Sequence, residues 1–154
     1  MKTYITLLLV FFIAEDVFSQ EKEKLATQTF AYRSADPHGD EPNDWPSNLD
    51  AVVAAPKNHK ILMENDKVRV LAITVAPGET EEVHHHQWPS VFYIKEAGDF
   101  IDYDNDGKII MDTRQIKPAL KFPMTMWKDA EAAHSIENLS KTITIRLIRV
   151  EMKN

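Results

Sequence analysis

The residues of this chain best suited to chemistry are histidines, and three of its six stand together. One stretch reads Gly78-Glu-Thr-Glu-Glu-Val-His84-His85-His86, and a later one reads His134-Ser-Ile-Glu-Asn138. Neutral imidazole is the commonest metal ligand among side chains. Side chains alternate faces along a strand, so His84 and His86 point one way and His85 the other. Their Cα atoms then lie about 6–7 Å apart, and the two rings can converge on one ion at about 2.0–2.1 Å. A third ligand must come from another element, and His134 is the candidate among the later residues. Asn138 follows His134 by four residues and shares its face on a continuous strand, where an amide can orient a ligand or a bound molecule. His38 and His59 read as solvated, one in a polar arm and one just before a strand. A short histidine tract also suits a surface patch with casual metal affinity. The glycine six residues before His84 and the later His-x-x-x-Asn weigh against that reading.

Three neutral imidazoles leave a metal's double charge uncompensated. The ion is then a strong Lewis acid, open to an anionic or enolate-like substrate, and Fe(II) with open positions also takes dioxygen. The expectation is one divalent metal (Fe, Zn, Mn or Ni), since imidazole suits several. Affinity should fall with pH through the histidine range. Around the motifs lie Trp88, Phe92, Tyr93 and Trp127, with Met124 and Met126 on one face of a strand. They are candidate cavity walls, although aromatic residues fill ordinary cores as well. Ser90 also falls close to the motif. Asp102-x-Asp104-x-Asp106-Gly107 matches half of a calcium loop. Its twelfth position is Thr113, where a bidentate glutamate is needed, so a hairpin turn is expected.

The elements that must position these residues are short strands. Lys60–Glu64, Val68–Val75, Val83–His86, Ser90–Lys95, Phe100–Tyr103, Lys108–Met111, Leu120–Phe122, Met124–Trp127 and His134–Asn138 are rich in β-branched and aromatic residues and broken by turn signals. In the last strand Ile143, Ile145 and Leu147 alternate with polar residues, and then the apolar phase passes to Ile148 and Val150. That switch predicts a bulge or bend. No helical period stands out, and the spacing predicts an all-β sandwich or barrel.

The chain has 154 residues, 44% hydrophobic and 27% charged, with a formal net charge of -6. That balance carries no basic footprint for nucleic acid. There is no cysteine, which excludes thiolate metal sites and disulfides. Residues 1–19 read as a signal peptide: Lys2, an apolar run from Ile5 to Ile13, and Val17-Phe18-Ser19 as the cut site. The protein is expected to be exported to the periplasm or beyond the cell, with no stable membrane insertion after cleavage. Residues 20–50, rich in charge and proline, read as a flexible arm, with Trp45 able to dock. Residues 51–154 form the domain.

The pattern Gly-x5-His-x-His, a hydrophobic strand ending in Gly98, and His-x-x-x-Asn resembles the two signature motifs of the cupin superfamily. Glu64-Asn-Asp-Lys-Val-Arg-Val70, Trp88-Pro-Ser-Val-Phe-Tyr93 and Glu137-Asn-Leu139 are similar to small single-domain cupins. The resemblance implies a single-domain jelly-roll β-barrel of the RmlC-like type, commonly dimeric. It also implies one divalent metal held by three histidines, here His84, His86 and His134, and one glutamate. Ser90 stands where that glutamate would, and Asp129-Ala130-Glu131 replaces the usual Pro-x-Gly turn. Some cupin dioxygenases work with three histidines alone, and other cupins only bind ligands. The leading expectation is therefore an exported, metal-dependent cupin acting on a small organic molecule in a dioxygenase- or isomerase-like reaction. Ser90, Asn138, Trp88, Tyr93 and Trp127 would line the site. The alternatives are a non-enzymatic small-ligand binder and an interaction scaffold.

Overall fold

The structure, a computed structural model, describes residues 44–153. The expected signal peptide, and the expected arm up to residue 43, lie outside the described residues. The arm's last residues, 44–50, are described. They include a short 3-10 turn, Ser47–Leu49, and run into a one-turn helix, Ala51–Ala54, whose N-cap Asp50 accepts a hydrogen bond from Val52 N.

Nine strands follow: β1 His59–Glu64, β2 Val68–Val75, β3 His84–His86, β4 Ser90–Glu96, β5 Phe100–Asp104, β6 Ile109–Asp112, β7 Met124–Lys128, β8 Glu131–Asn138 and β9 Ile145–Met152. They form two antiparallel sheets, one of order β1-β2-β9-β4-β7 and one of order β3-β8-β5-β6. This is the expected all-β jelly roll. Leu120–Phe122 is not a strand. Pro118 and Pro123 flank it, and proline has no N–H to give to a ladder. The Asp104–Gly107 stretch is a hairpin turn between β5 and β6. Gly107 takes a positive φ of 77° there, and Asp104 Oδ1 accepts from Asp106 N and Lys108 N.

The expected bend in the last strand is absent. β9 pairs with β2 in unbroken register from Val68–Met152 to Val75–Ile145. The inward positions are Ile145, Leu147, Arg149 and Glu151. The apolar phase switches in the sequence because the barrel interior itself changes from apolar to charged. Ile148 and Val150 simply face outward.

Cross-strand rows make this change plain. On the inner face of the larger sheet, Val75 lies opposite Ile145, and Ile73, Leu147, Ile94 and Met124 form the next row. One further step brings Leu71, Arg149, Phe92 and Met126, and the last row is Arg69, Glu151, Ser90 and Lys128. Val75, Phe100 and Ile145 form the core cluster, with Ala97, Met111, Ile136 and Leu147 packed against it. The outer face carries its own row, Met63, Val70, Val150, Val91 and Trp127.

Candidate metal centre

β3 and β8 lie side by side, with His84 directly opposite His134. The register slips by one residue before His86 meets Glu131, a bulge in β8 of the kind that re-aims side chains. His84, His86 and His134 are all buried. Ring centroids are 5.0 Å apart for His84 and His86, 4.8 Å for His84 and His134, and 5.9 Å for His86 and His134. The three histidines proposed from spacing therefore gather in one place.

The structure adds a fourth. His59 is only 4% exposed, which corrects its expected solvated placement. β1 begins one residue earlier than expected, so His59 is on the strand rather than before it. In the ladder it stands opposite Ile73, and its ring centroid lies 4.4 Å from that of His84 and 5.2 Å from that of His86. Ligand atoms of His59, His84 and His86 all lie within 4.8 Å of one another. The one-residue error in the strand start is why sequence reasoning missed it. The usable signal was the vacant glutamate position at Ser90, which called for a ligand from elsewhere.

Every one of the four rings is held by Nδ1. His59 Nδ1 lies 3.2 Å from Ala55 O, and His84 Nδ1 lies 2.8 Å from Glu82 O. A carbonyl oxygen only accepts, so each of these rings carries Nδ1–H. His86 Nδ1 meets Glu151 Oε1 at 2.6 Å, and His134 Nδ1 meets Asp102 Oδ1 at 3.0 Å. An ionised carboxylate likewise accepts from Nδ1. The arrangement leaves Nε2 of each ring with its lone pair, and His134 Nε2 is buried without a hydrogen-bond partner. Orientation of the ligating nitrogen through the other one is how proteins prepare histidine for metal.

The electrostatics agree with that preparation. Burial pushes His59 down to about 4, with the nearby Arg149 charge and His134 acting in the same direction. Burial also holds His84 and His86 well below the ordinary imidazole range. These three are neutral, and so able to ligate, at physiological pH. For His134 burial works downward, but the charges of Asp102 and Glu131 outweigh it and raise the group.

Asp102, Glu131 and His134 also bring ligand atoms within 4.8 Å of one another. Glu131 is already engaged, with Lys128 Nζ at 2.5 Å and Arg149 Nη1 at 2.5 Å. A cation placed there would be repelled by both. The all-imidazole group is the better metal site. Within the barrel the buried carboxyls Glu81, Asp102, Glu131 and Glu151 meet three buried cations, Arg69, Lys128 and Arg149. Burial raises Glu81 to about 8 and Glu151 to about 7, so the imidazoles, and not a surplus of negative charge, make the site.

The other residues singled out by sequence divide. Ser90 is fully buried beside Glu151 and Lys128 in the ladder, and its Oγ has no hydrogen-bond partner. Asn138 is fully buried but faces its own turn. Its Nδ2 donates to Val75 O and Ile143 O at 2.9 Å, and its Oδ1 accepts from Ser140 N. The role expected for it at a ligand is thus corrected to a turn staple. Tyr93 and Trp127 are 46% and 50% exposed on the outer face, not in the interior where they were expected. Trp88 lies under Arg69 and Lys153, with their charged groups 4.6 and 5.1 Å from its ring centroid. Phe92 and Met126 do line the interior cavity. His85 faces away from the cluster, as alternation requires. Its Nε2 meets Pro46 O at 2.9 Å, and the Trp45 ring lies 5.3 Å away.

No family model matches the chain, and no curated protein matches it. Solved structures do. A cupin domain from Bordetella pertussis Tohama I is 18% identical over 62% of this chain and 92% of that one, with a TM-score of 0.51. An RmlC-like cupin family protein with a double-stranded β-helix fold from Methanocaldococcus jannaschii is 14% identical over 62% of this chain and 78% of that one, at a TM-score of 0.46. At such identities the likeness concerns the fold.

Proposed function

We propose, from the premise that this chain has a cupin fold, that it holds one divalent metal and acts on a small organic molecule in the barrel. The observation that carries this reading is the set of buried imidazoles tied by Nδ1 around a common point. His59, His84 and His86 would hold the ion, and His134 stands next to them to complete the set. When bound, the metal supplies Lewis-acid chemistry, or dioxygen chemistry if it is iron. The protein's own part is to keep the three rings neutral by burial and to fix their tautomers. It also surrounds the ion with low-dielectric apolar walls from Ile73, Phe92, Ile94 and Leu147. A dioxygenase- or isomerase-like reaction is the activity proposed.

A non-enzymatic ligand binder is the second reading, and Ser90 in place of the family glutamate favours it. Metal analysis of the untagged protein separates the two from the start. The proposal expects about one Zn, Fe, Mn or Ni per chain, lost in both His84→Ala and His59→Ala. A protein that carries no metal and takes up none on dialysis leaves only ligand binding.

Export to the periplasm or the extracellular space is proposed on residues 1–19 alone. A homodimer is proposed on the outer row of Met63, Val91 and Trp127, where exposed apolar side chains run together across the larger sheet.

A further inference from the structure

We propose that Arg149 is the anchor for the carboxylate of a small ligand in this cavity. The inference deepens the metal-site reading and rests on it for the environment at the ligand's other end. Arg149 is 1% exposed. Its row neighbours in the larger sheet are Leu71 on one side and Phe92 on the other, and its guanidinium lies 4.6 Å from the Phe92 ring centroid. It lines the same cavity as His59, His84, His86 and His134.

Only part of its hydrogen-bonding capacity is used. Nη1 donates to Glu131 Oε2. Nε and Nη2 are buried with no hydrogen-bond partner. The nearest carboxylate to Nε is Glu151 Oε1 at 3.5 Å, an ion pair without a hydrogen bond. Glu151 Oε1 is itself taken by His86 Nδ1 at 2.6 Å. Nε–H and Nη2–H share one edge of the guanidinium, and that edge matches two carboxylate oxygens in parallel. Leaving charged donors unpaired in a dry interior is costly, so such an edge marks where an acceptor belongs.

The cavity sets the size of that acceptor. Its volume is about 90 Å³, room for a few non-hydrogen atoms. Glu81 lines it as well and leaves Oε2 buried without a partner. The backbone at Glu81 is fixed, because its N–H donates to Ile136 O and Asn138 N–H donates to the adjoining Glu79 O. A small hydroxy acid carries an anionic end for Arg149 and a hydroxyl for the polar lining that includes Glu81. Sugars and larger aromatic acids exceed the space.

The test uses the full-length chain with glycolate, acetate and the uncharged glycolamide as probes. Binding is followed by calorimetry and by the Arg149 Nε–H signal in nitrogen-15 spectra, for metal-free and Zn-loaded protein. The expected result is that glycolate binds the Zn-loaded protein and shifts the Nε–H signal, acetate binds more weakly, and glycolamide does neither. Arg149→Gln should still take up Zn and should weaken glycolate at least tenfold, with Arg149→Lys between the two. Because Arg149→Gln also strands Glu131 and can unfold, the wild-type Nε–H shift decides the question by itself. A protein that loads Zn but whose Nε–H signal ignores glycolate overturns the anchor and leaves the metal site standing. In that outcome Glu151 is the edge's true partner. A protein that takes up no Zn, yet shifts the signal with glycolate, overturns the metal reading and keeps the anchor. Neither event overturns both.

Discussion

The two ends of the barrel interior differ more than the two sheets do. At one end Val75, Phe100 and Ile145 pack together with no polar side chain in the cluster. At the other, four histidines, four carboxylates, Lys128 and Arg149 are buried side by side. A single strand, β9, crosses from one regime to the other within four inward positions, Ile145, Leu147, Arg149 and Glu151. The apolar end gains free energy by burial, about 1.5–3 kcal/mol for each large side chain. The polar end gains little, because desolvation offsets the attraction within its ion pairs. Its residues make sense as a prepared site that the apolar end keeps folded.

Substitutions at the two ends should therefore separate stability from metal affinity. Ile145→Ala, at a buried position in the apolar cluster, should cost about 2–5 kcal/mol in denaturant unfolding. Its metal affinity should stay unchanged. A metal affinity that fell with the stability would show that the ends are not independent.

The pH response should be opposite in sign for the two kinds of buried group at the polar end. The folded His59, at about 4, lies below its ordinary 6.5. The unfolded chain therefore takes the proton first as pH falls, and stability present above pH 6.5 is lost down to pH 4, by about 3 kcal/mol. His84 and His86 shift in the same direction and add to the loss. Burial pushes Glu81 up to about 8 and Glu151 up to about 7, so these groups cost stability as pH rises from about 4.5 through those values. Urea titrations of metal-free protein across pH 4–9 should give a maximum near neutrality. A stability that rose steadily to pH 9 would contradict the burial of the two carboxyls.

Metal should act at the polar end alone. Zn at about a hundred times its Kd should stabilise the fold by about 2.7 kcal/mol, a Tm rise of roughly 10 °C for a domain of this size, reversed by chelator. The same addition should leave the Tm of His84→Ala where it was.

Asn138→Ala tests a polar residue at the apolar end, where it lies opposite Phe100 and bonds Val75 O. The loss of its three turn hydrogen bonds should cost about 1–3 kcal/mol without changing metal uptake. Reduced uptake at unchanged stability would return Asn138 to the site. The smallest effect is expected outside the barrel. Trp127→Ser, on the outer face, removes a half-exposed ring paired with Val91 and its bond to Asp129 Oδ1; it should cost the monomer about 1 kcal/mol, and loss of bound metal there would refute its placement.

What the chain declared by itself was local. Alternation along Val68–Val75 and the spacing of His84 and His86 depend on the two-residue repeat of a strand, which holds wherever the strand sits. The hairpin at Asp104–Gly107 follows from turn chemistry in the same way. Cross-strand facts were beyond that reach. His59 joins the histidine cluster because the fold sets its ring on β1 of one sheet against that of His84 on β3 of the other, and Asn138 leaves the site because its amide finds Val75 O and Ile143 O. The inward run Ile145, Leu147, Arg149, Glu151 looked like a bend because a strand's sequence cannot say that its surroundings change from apolar to charged. Only neighbours distant in the chain supply that information, and only the folded barrel brings them together.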